Sequence, residues 1–283
     1  MRPEDYPPQE PFSGIGAVYH DEVLRFSEGV EGFDVPIGDD PYQSLAVYPA
    51  TTPNGDVLCL IHGGGWTNGY KEWMAFMAPA LNARGITAVS FGYRLAPANV
   101  HPAQFEDCAA AVAWVYRNIA RHGGNPDRIF VGGHSAGGHL SSLLALRTDW
   151  QAPLDLPDDI VTGALPISGT YLFGEGSGLS MRPRFLGDEA LGNEGPASPM
   201  SHLRSGAPPF LVAYGSQDFP HLIEQARQFS QKLTNLGVSV SEIVLEGCDH
   251  LGASYASGEM DGLWINSVEA FLAESRNEPG STA

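Results

Sequence analysis

The chain has 283 residues, 43% of them hydrophobic and 17% charged, and its 33 acidic against 15 basic side chains give a net charge of −18 at neutral pH. That much apolar sequence can bury a large core, which excludes wholesale disorder. The few Lys and Arg form no basic run, so nucleic acid and anionic lipid are disfavoured as partners, and the acidity by itself names no substrate.

No apolar run approaches the roughly 20 residues that a bilayer requires; VLCLI at 57–61 is typical. The N-terminus, MRPEDYPPQEPFSGIG, carries acids and prolines where a secretory signal needs a basic start and an unbroken apolar stretch, so a cytoplasmic protein is expected. Cys59, Cys108 and Cys248 are an odd number at long spacings, matching neither a disulfide framework nor a zinc pattern. Reduced thiols, no metal and no cofactor are expected.

In chain order, residues 1–42 read as an N-terminal leader without strong period, although QSLAVYP at 43–49 resembles an early strand. From Gly55 onward, short apolar runs alternate with longer amphipathic stretches, as a parallel sheet with crossover helices requires. Strands are expected at 56–62, 87–94, 128–134, 162–168, 209–215 and 240–247, all mostly apolar without alternation, as for strands covered on both faces. Helices are expected at 71–85, 102–124, 136–148, 221–237 and 260–275. Two of them run into Gly123 and Gly237, where a residue without Cβ can take the left-handed cap. In the helix from 102, Phe105, Ala109, Val112, Val115, Tyr116 and Ile119 recur at three- and four-residue steps and form one buried stripe. The region 171–208 differs, because Gly174, Gly176, Gly178, Pro183, Gly187, Gly192, Gly195, Pro196 and Pro199 interrupt every period. It reads as an irregular insertion that caps the carboxyl edge of the sheet and walls a pocket. The whole, 1–283, reads as a single domain.

The strongest chemical signal is RIFVGGHSAGGHLSSLLAL at 128–146, where Gly133 to Gly137 fit G-x-S-x-G between a strand and a helix. Ser135 is the candidate nucleophile: a sharp strand-to-helix turn strains the serine and needs small neighbours, and the N–H groups of the following helix face developing negative charge. The strand ending in His62-Gly63-Gly64-Gly65-Trp66 supplies a second site. Gly64 and Gly65 N–H can approach a substrate oxygen, with Ala136 N–H as a third oxyanion donor. A phosphate-binding loop is the competing reading, but neither G-K-[ST] nor G-x-G-x-x-G is present. His62 is read as a brace for this loop.

A serine hydroxyl needs a base, and the base an acid that fixes its tautomer. Of nine histidines, His20, His62, His101, His122 and His134 precede Ser135, His139 lies along its helix, His202 falls in the insertion and His221 opens a helix. His250, just after the last apolar strand, remains as the base, in a loop. Asp218 follows the strand at 209–215 and is the matching acid, whereas Asp249 adjoins His250 and reads as a turn residue. Three strand ends then converge, as open α/β sheets favour.

These residues resemble the α/β-hydrolase fold, and within it the serine esterases with an HGGG-type oxyanion loop: the hormone-sensitive-lipase-like group and its kynurenine formamidase-like relatives. The resemblance covers roughly residues 43–272 and is carried by HGGGW (62–66), YRLAP (93–97), GHSAGGH (133–139), YGSQD (214–218) and DH (249–250), in the family order. The lipase-like branch usually has Asp before its nucleophile and a large N-terminal cap; His134 and a short leader stand here, closer to the formamidase-like and small carboxylesterase branch. The resemblance implies a mostly parallel sheet with helices on both faces and a serine carboxylesterase acting on short- to medium-chain acyl esters through an acyl-enzyme. An arylformamidase acting on N-formylkynurenine-type amides is the alternative. A non-catalytic small-molecule-binding protein on the same scaffold is a third, against which the intact set of Ser135, Asp218 and His250 argues. A metallohydrolase would need an H-E-x-x-H or clustered His and Asp, which the chain lacks.

Overall fold

Eight strands form one sheet in the order β1-β2-β4-β3-β5-β6-β7-β8. The computed structural model describes residues 1–175, 177 and 184–277. The strands are β1 (Phe33–Pro36), β2 (Ser44–Tyr48), β3 (Gly55–Ile61), β4 (Thr87–Phe91), β5 (Gly124–His134), β6 (Gly163–Ile167), β7 (Phe210–Gly215) and β8 (Val240–Leu245). β1 pairs antiparallel with β2, and β2 with β4; the pairs from β4 across to β8 are parallel.

Parallel strands need crossovers, which contain α2 (Ala78–Asn82), α3 (Ala103–Asn118), α4 (Ala136–Leu146), α5 (Glu194–Ala197) and α6 (Pro220–Asn235); α1 (Gly14–Phe26) precedes β1, and α7 (His250–Ala256) and α8 (Leu263–Asn277) follow β8. Because helices cover both faces, Leu58, Val89, Phe130, Val131, Leu165 and Val212 are buried. This explains strands that read as apolar runs without alternation. The expected stripe is observed: Phe105, Ala109, Val112 and Val115 of α3 and Ile119 just past its end are buried, and Tyr116 is half-buried. Each large member adds about 2 kcal/mol of hydrophobic stabilisation.

Four stretches depart from the sequence reading. The stretch 71–85 is one 3-10 segment, Lys71–Met77, followed by the short α2. Pro79 has no N–H to donate and stands in the first turn of α2, so no single α-helix runs through. The helix from 102 tightens after Asn118 into a 3-10 turn, Ile119–His122, that ends on Gly123 at φ +83°. Residues 1–42 hold α1 and β1: two glycines weaken the period of α1, and β1 is a largely exposed edge strand ending in a proline. The segment around His250 is α7 rather than a loop, with Asp249 as N-cap accepting from Gly252 N at 2.7 Å.

Within 171–208 the described residues form the 3-10 turns Glu189–Leu191 and Pro199–His202 and the single-turn α5. Gly176, Gly178 and Pro183 lie outside the described residues. Among the described residues no helix is long and apolar enough to cross a membrane.

Candidate active site

β5 lies between β3 and β6, and its end delivers Ser135 to the carboxyl edge of the sheet. Ser135 has φ +56° and ψ −113°, a conformation that a side chain rarely adopts, held by Ser135 N donating to Ile167 O at 2.9 Å. The turn closes only because its flanks lack side chains: a Cβ on Gly137 would stand 1.8 Å from Ile61 O. Ser135 remains partly accessible at the start of α4.

The loops after β7 and β8 are joined to each other. Gln217 N donates to Cys248 O at 2.9 Å and Gly247 N to Ser216 Oγ at 2.8 Å. This brings Asp218 against His250: Nδ1 lies 2.8 Å from Asp218 Oδ1, and Nε2 lies 3.0 Å from Ser135 Oγ. Since a carboxylate only accepts, Nδ1–H donates to it, leaving the Nε2 lone pair facing the serine hydroxyl. The Asp218 side chain is fully buried and that of His250 is 12% exposed.

Burial alone would raise the pKa of Asp218, but the hydrogen bond and charge of His250, the Ser168 hydroxyl and the N–H of Phe219 outweigh it and hold the carboxyl below its ordinary 3.8. Phe219 N donates to Oδ1 at 2.7 Å. Ser168 Oγ and Asp218 Oδ2 are buried without a hydrogen bond of normal geometry, so the hydroxyl acts as a nearby dipole. Ser168 is not singled out in the sequence, where it closes the expected strand 162–168; the structure places it just past β6, at φ +50°.

The glycines that follow β3 face the same turn. A Cβ on Gly63 would lie 3.3 Å from Ser135 Cβ. Gly64 stands at φ +106° and a Cβ there would be 2.1 Å from Asn68 O; Gly65 stands at φ +62°. Gly64 O accepts from the N–H of Thr67 and Asn68, whereas the N–H groups of Gly64 and Gly65 donate to nothing among the described residues. Ala136 N–H, in the first turn of α4, is free of the helix ladder. His62 Nδ1 bonds Gly63 O at 2.7 Å, its ring stacks on Tyr93 at 4.1 Å, and burial pushes its pKa down to about 4.

Beside the loop, Trp66 stacks on Phe185 at 4.4 Å and donates through Nε1 to His139 Nδ1 at 3.1 Å; Phe173 packs on both Trp66 and His139. Phe173 and Phe185 come from the region 171–208. Arg184 of the same segment donates to Thr67 Oγ1 at 3.2 Å and pairs with Glu10. A cavity of about 450 Å³ reaches Thr67 and is lined also by Gln9, Glu10, Leu95, Pro97 and Asn99, whereas a larger hollow of about 620 Å³ lies around Arg147 and Arg204, past the far end of α4. Phe219, 44% exposed, stands 5.0 Å from the His250 ring at the open side.

Serine, carboxylate and imidazole presented in that chain order after β5, β7 and β8 of an open, largely parallel sheet is the arrangement of the alpha/beta hydrolases. The sequence model of the family described as alpha/beta hydrolase fold matches residues 58–253, and the chain belongs to that family. Esterase LipC of Mycobacterium tuberculosis is 33% identical over 270 residues, 88% of this chain and 66% of that protein. The probable carboxylic ester hydrolase LipM of the same organism is 34% identical over 255 residues, 81% of this chain and 58% of that protein. The chain thus spans less than two thirds of the length of these relatives. Among solved structures, a Pyrobaculum calidifontis esterase superposes with a TM-score of 0.74 at 21% identity, covering 93% of this chain and 92% of that one. EstE1, a thermophilic carboxylesterase from a metagenomic library, gives 0.72 at 21% identity, covering 92% and 95%.

Proposed function

We propose that the protein is a serine carboxylesterase that hydrolyses short- to medium-chain acyl esters, with Ser135 as nucleophile, His250 as general base and then acid, and Asp218 as the group that orients the imidazole. The observation that carries this reading is the unbroken hydrogen-bond chain from Ser135 Oγ through both nitrogens of His250 to Asp218 Oδ1, at 3.0 and 2.8 Å. The relatives named as esterases support the same chemistry.

In this reading His250 Nε2 takes the Ser135 proton as Oγ attacks the ester carbonyl carbon, and the carbonyl oxygen gains negative charge where the N–H groups of Gly64, Gly65 and Ala136 converge. The tetrahedral species collapses with cleavage of the bond to the alcohol oxygen, which leaves with the proton from His250. Water then gives a proton to His250, attacks the acyl-enzyme and releases the carboxylic acid, and the proton returns to Ser135. Asp218 stays ionised throughout and stabilises the imidazolium formed in each half.

The test is a panel of p-nitrophenyl esters of increasing acyl length together with N-formylkynurenine, compared by kcat/KM. A preference for the short and medium esters is expected. A strong preference for the formyl amide would replace the label with arylformamidase, and an intact protein that turns over neither would leave a binding protein.

A further inference from the structure

The segment that carries the base is held from a second side by the residue before the nucleophile. His134 closes β5 and is 2% exposed, and its Nε2 lies 2.8 Å from the main-chain oxygen of His250. A carbonyl oxygen only accepts, so the His134 proton sits on Nε2. Burial, followed by the neighbouring His250, pushes the imidazole well below the usual histidine range; Asp218 and the bond to the His250 carbonyl oppose this without reversing it. The ring is therefore a neutral donor.

His134 sits where four elements meet. Its ring is 4.6 Å from the His250 ring, and Tyr19 of α1 stacks against it at 5.9 Å and 28°. Tyr19 in turn shares a hydrogen bond of 2.8 Å with Ser254 of α7. On the oxyanion side, a Cβ on Gly63 would stand 3.3 Å from His134 Nδ1. No step of the proposed reaction uses this imidazole.

We propose that His134 is a positioning residue, whose Nε2–H fixes the main chain of His250 so that the catalytic imidazole meets Ser135 Oγ. The inference rests on the esterase reading above. Its logic is geometric. The bonds to Asp218 and Ser135 set how the His250 ring is turned, but they act at the end of a side chain with two torsions, and the backbone bonds of Cys248, Gly247 and the Asp249 cap hold the segment on either side of His250 rather than His250 against the nucleophile turn. The bond from His134 acts on that backbone. Because His134 and Ser135 share a peptide bond, the base is referenced to the nucleophile's own main chain, and movement of the turn carries both partners together. Misplacement of a catalytic group by about 1 Å costs on the order of 100-fold in rate.

The experiment compares His134→Met with His134→Gln, two side chains of similar size and reach of which only the amide can donate to the His250 carbonyl. With rates expressed per active site titrated by an organophosphate, the Met variant is expected to lose roughly 10- to 100-fold in kcat with KM within about 3-fold, and the Gln variant to stay within about 5-fold of the wild type. Equal losses in both, or a loss confined to KM, would overturn the clamp while leaving the esterase reading in place. A wild-type protein without ester turnover would overturn both. Ring 15N NMR of the folded wild type provides a check independent of the variants: the clamp requires the His134 proton on Nε2, and a proton on Nδ1 would refute it.

Discussion

Acidification to pH 5 should destabilise this protein strongly, through histidines that the fold keeps neutral. His62, His101 and His139 are buried, and burial pushes their pKa values from the ordinary 6.5 down to about 4, about 4 and about 3. As pH falls below 6.5 the unfolded chain takes up a proton on each ring while the folded chain does not. Stability is therefore lost through the window from 6.5 down to the folded values, and the loss levels off below them. At pH 5 the unfolded state lies 1.5 units below its pKa, worth about 2 kcal/mol per ring at 1.36 kcal/mol per unit, so about 6 kcal/mol for the three. Set against a typical total of 5–15 kcal/mol, that is a large fraction. Urea unfolding followed by tryptophan fluorescence at pH 7, 6 and 5 measures it. A steep fall in unfolding free energy below pH 6.5 is expected, and replacing His62 by Gln should remove about one proton from the slope. Stability that holds within about 1 kcal/mol from pH 7 to 5 would refute the argument.

Further outcomes follow from the site and its walls. Asp218→Asn keeps the shape but can favour the wrong imidazole tautomer, so kcat should fall by about 10⁴ with little change in KM in steady-state ester kinetics. Gly64→Ala places a Cβ 2.1 Å from Asn68 O at φ +106°. The loop must move and its N–H with it, so kcat should fall about 100- to 1000-fold; activity within a few-fold of wild type would remove Gly64 from the oxyanion site. Phe185→Ala empties a fully buried ring stacked on Trp66, costing about 3–5 kcal/mol and lowering Tm by roughly 10 °C in a thermal melt.

The sheet from β3 to β7 was legible because strands covered on both faces must be apolar throughout, and β5, with Ile129, Phe130 and Val131 before two glycines, carries that pattern most clearly; β8 is an edge strand with Ser241 and Glu242 exposed, read from its apolar Ile243, Val244 and Leu245. The locations of Ser135, Asp218 and His250 were legible for a related reason: each follows the carboxyl end of an expected strand. What stayed hidden is held by contacts distant in sequence. α1 is fixed less by its own weak period than by Tyr19 and Val23 packing on the body of the protein, and β1 exists through its pairing with β2. Asp249 reads as a turn residue in EGCDHLG, and only the N–H of Gly252 reveals it as the cap of a helix that begins with His250. His134 stood out in the sequence as a departure from aspartate; its reach to the His250 carbonyl, 116 residues away, is a tertiary fact.

The central claim is that Ser135 is made nucleophilic by His250 and Asp218. Its most direct measurement is intact-mass spectrometry after incubation with an organophosphate, with Ser135→Ala and His250→Ala in parallel. One adduct per chain, mapped to the peptide carrying Ser135, absent from Ser135→Ala and slowed by several orders of magnitude in His250→Ala, is the expected result. An adduct on another residue, or ester turnover that survives Ser135→Ala, would contradict the account.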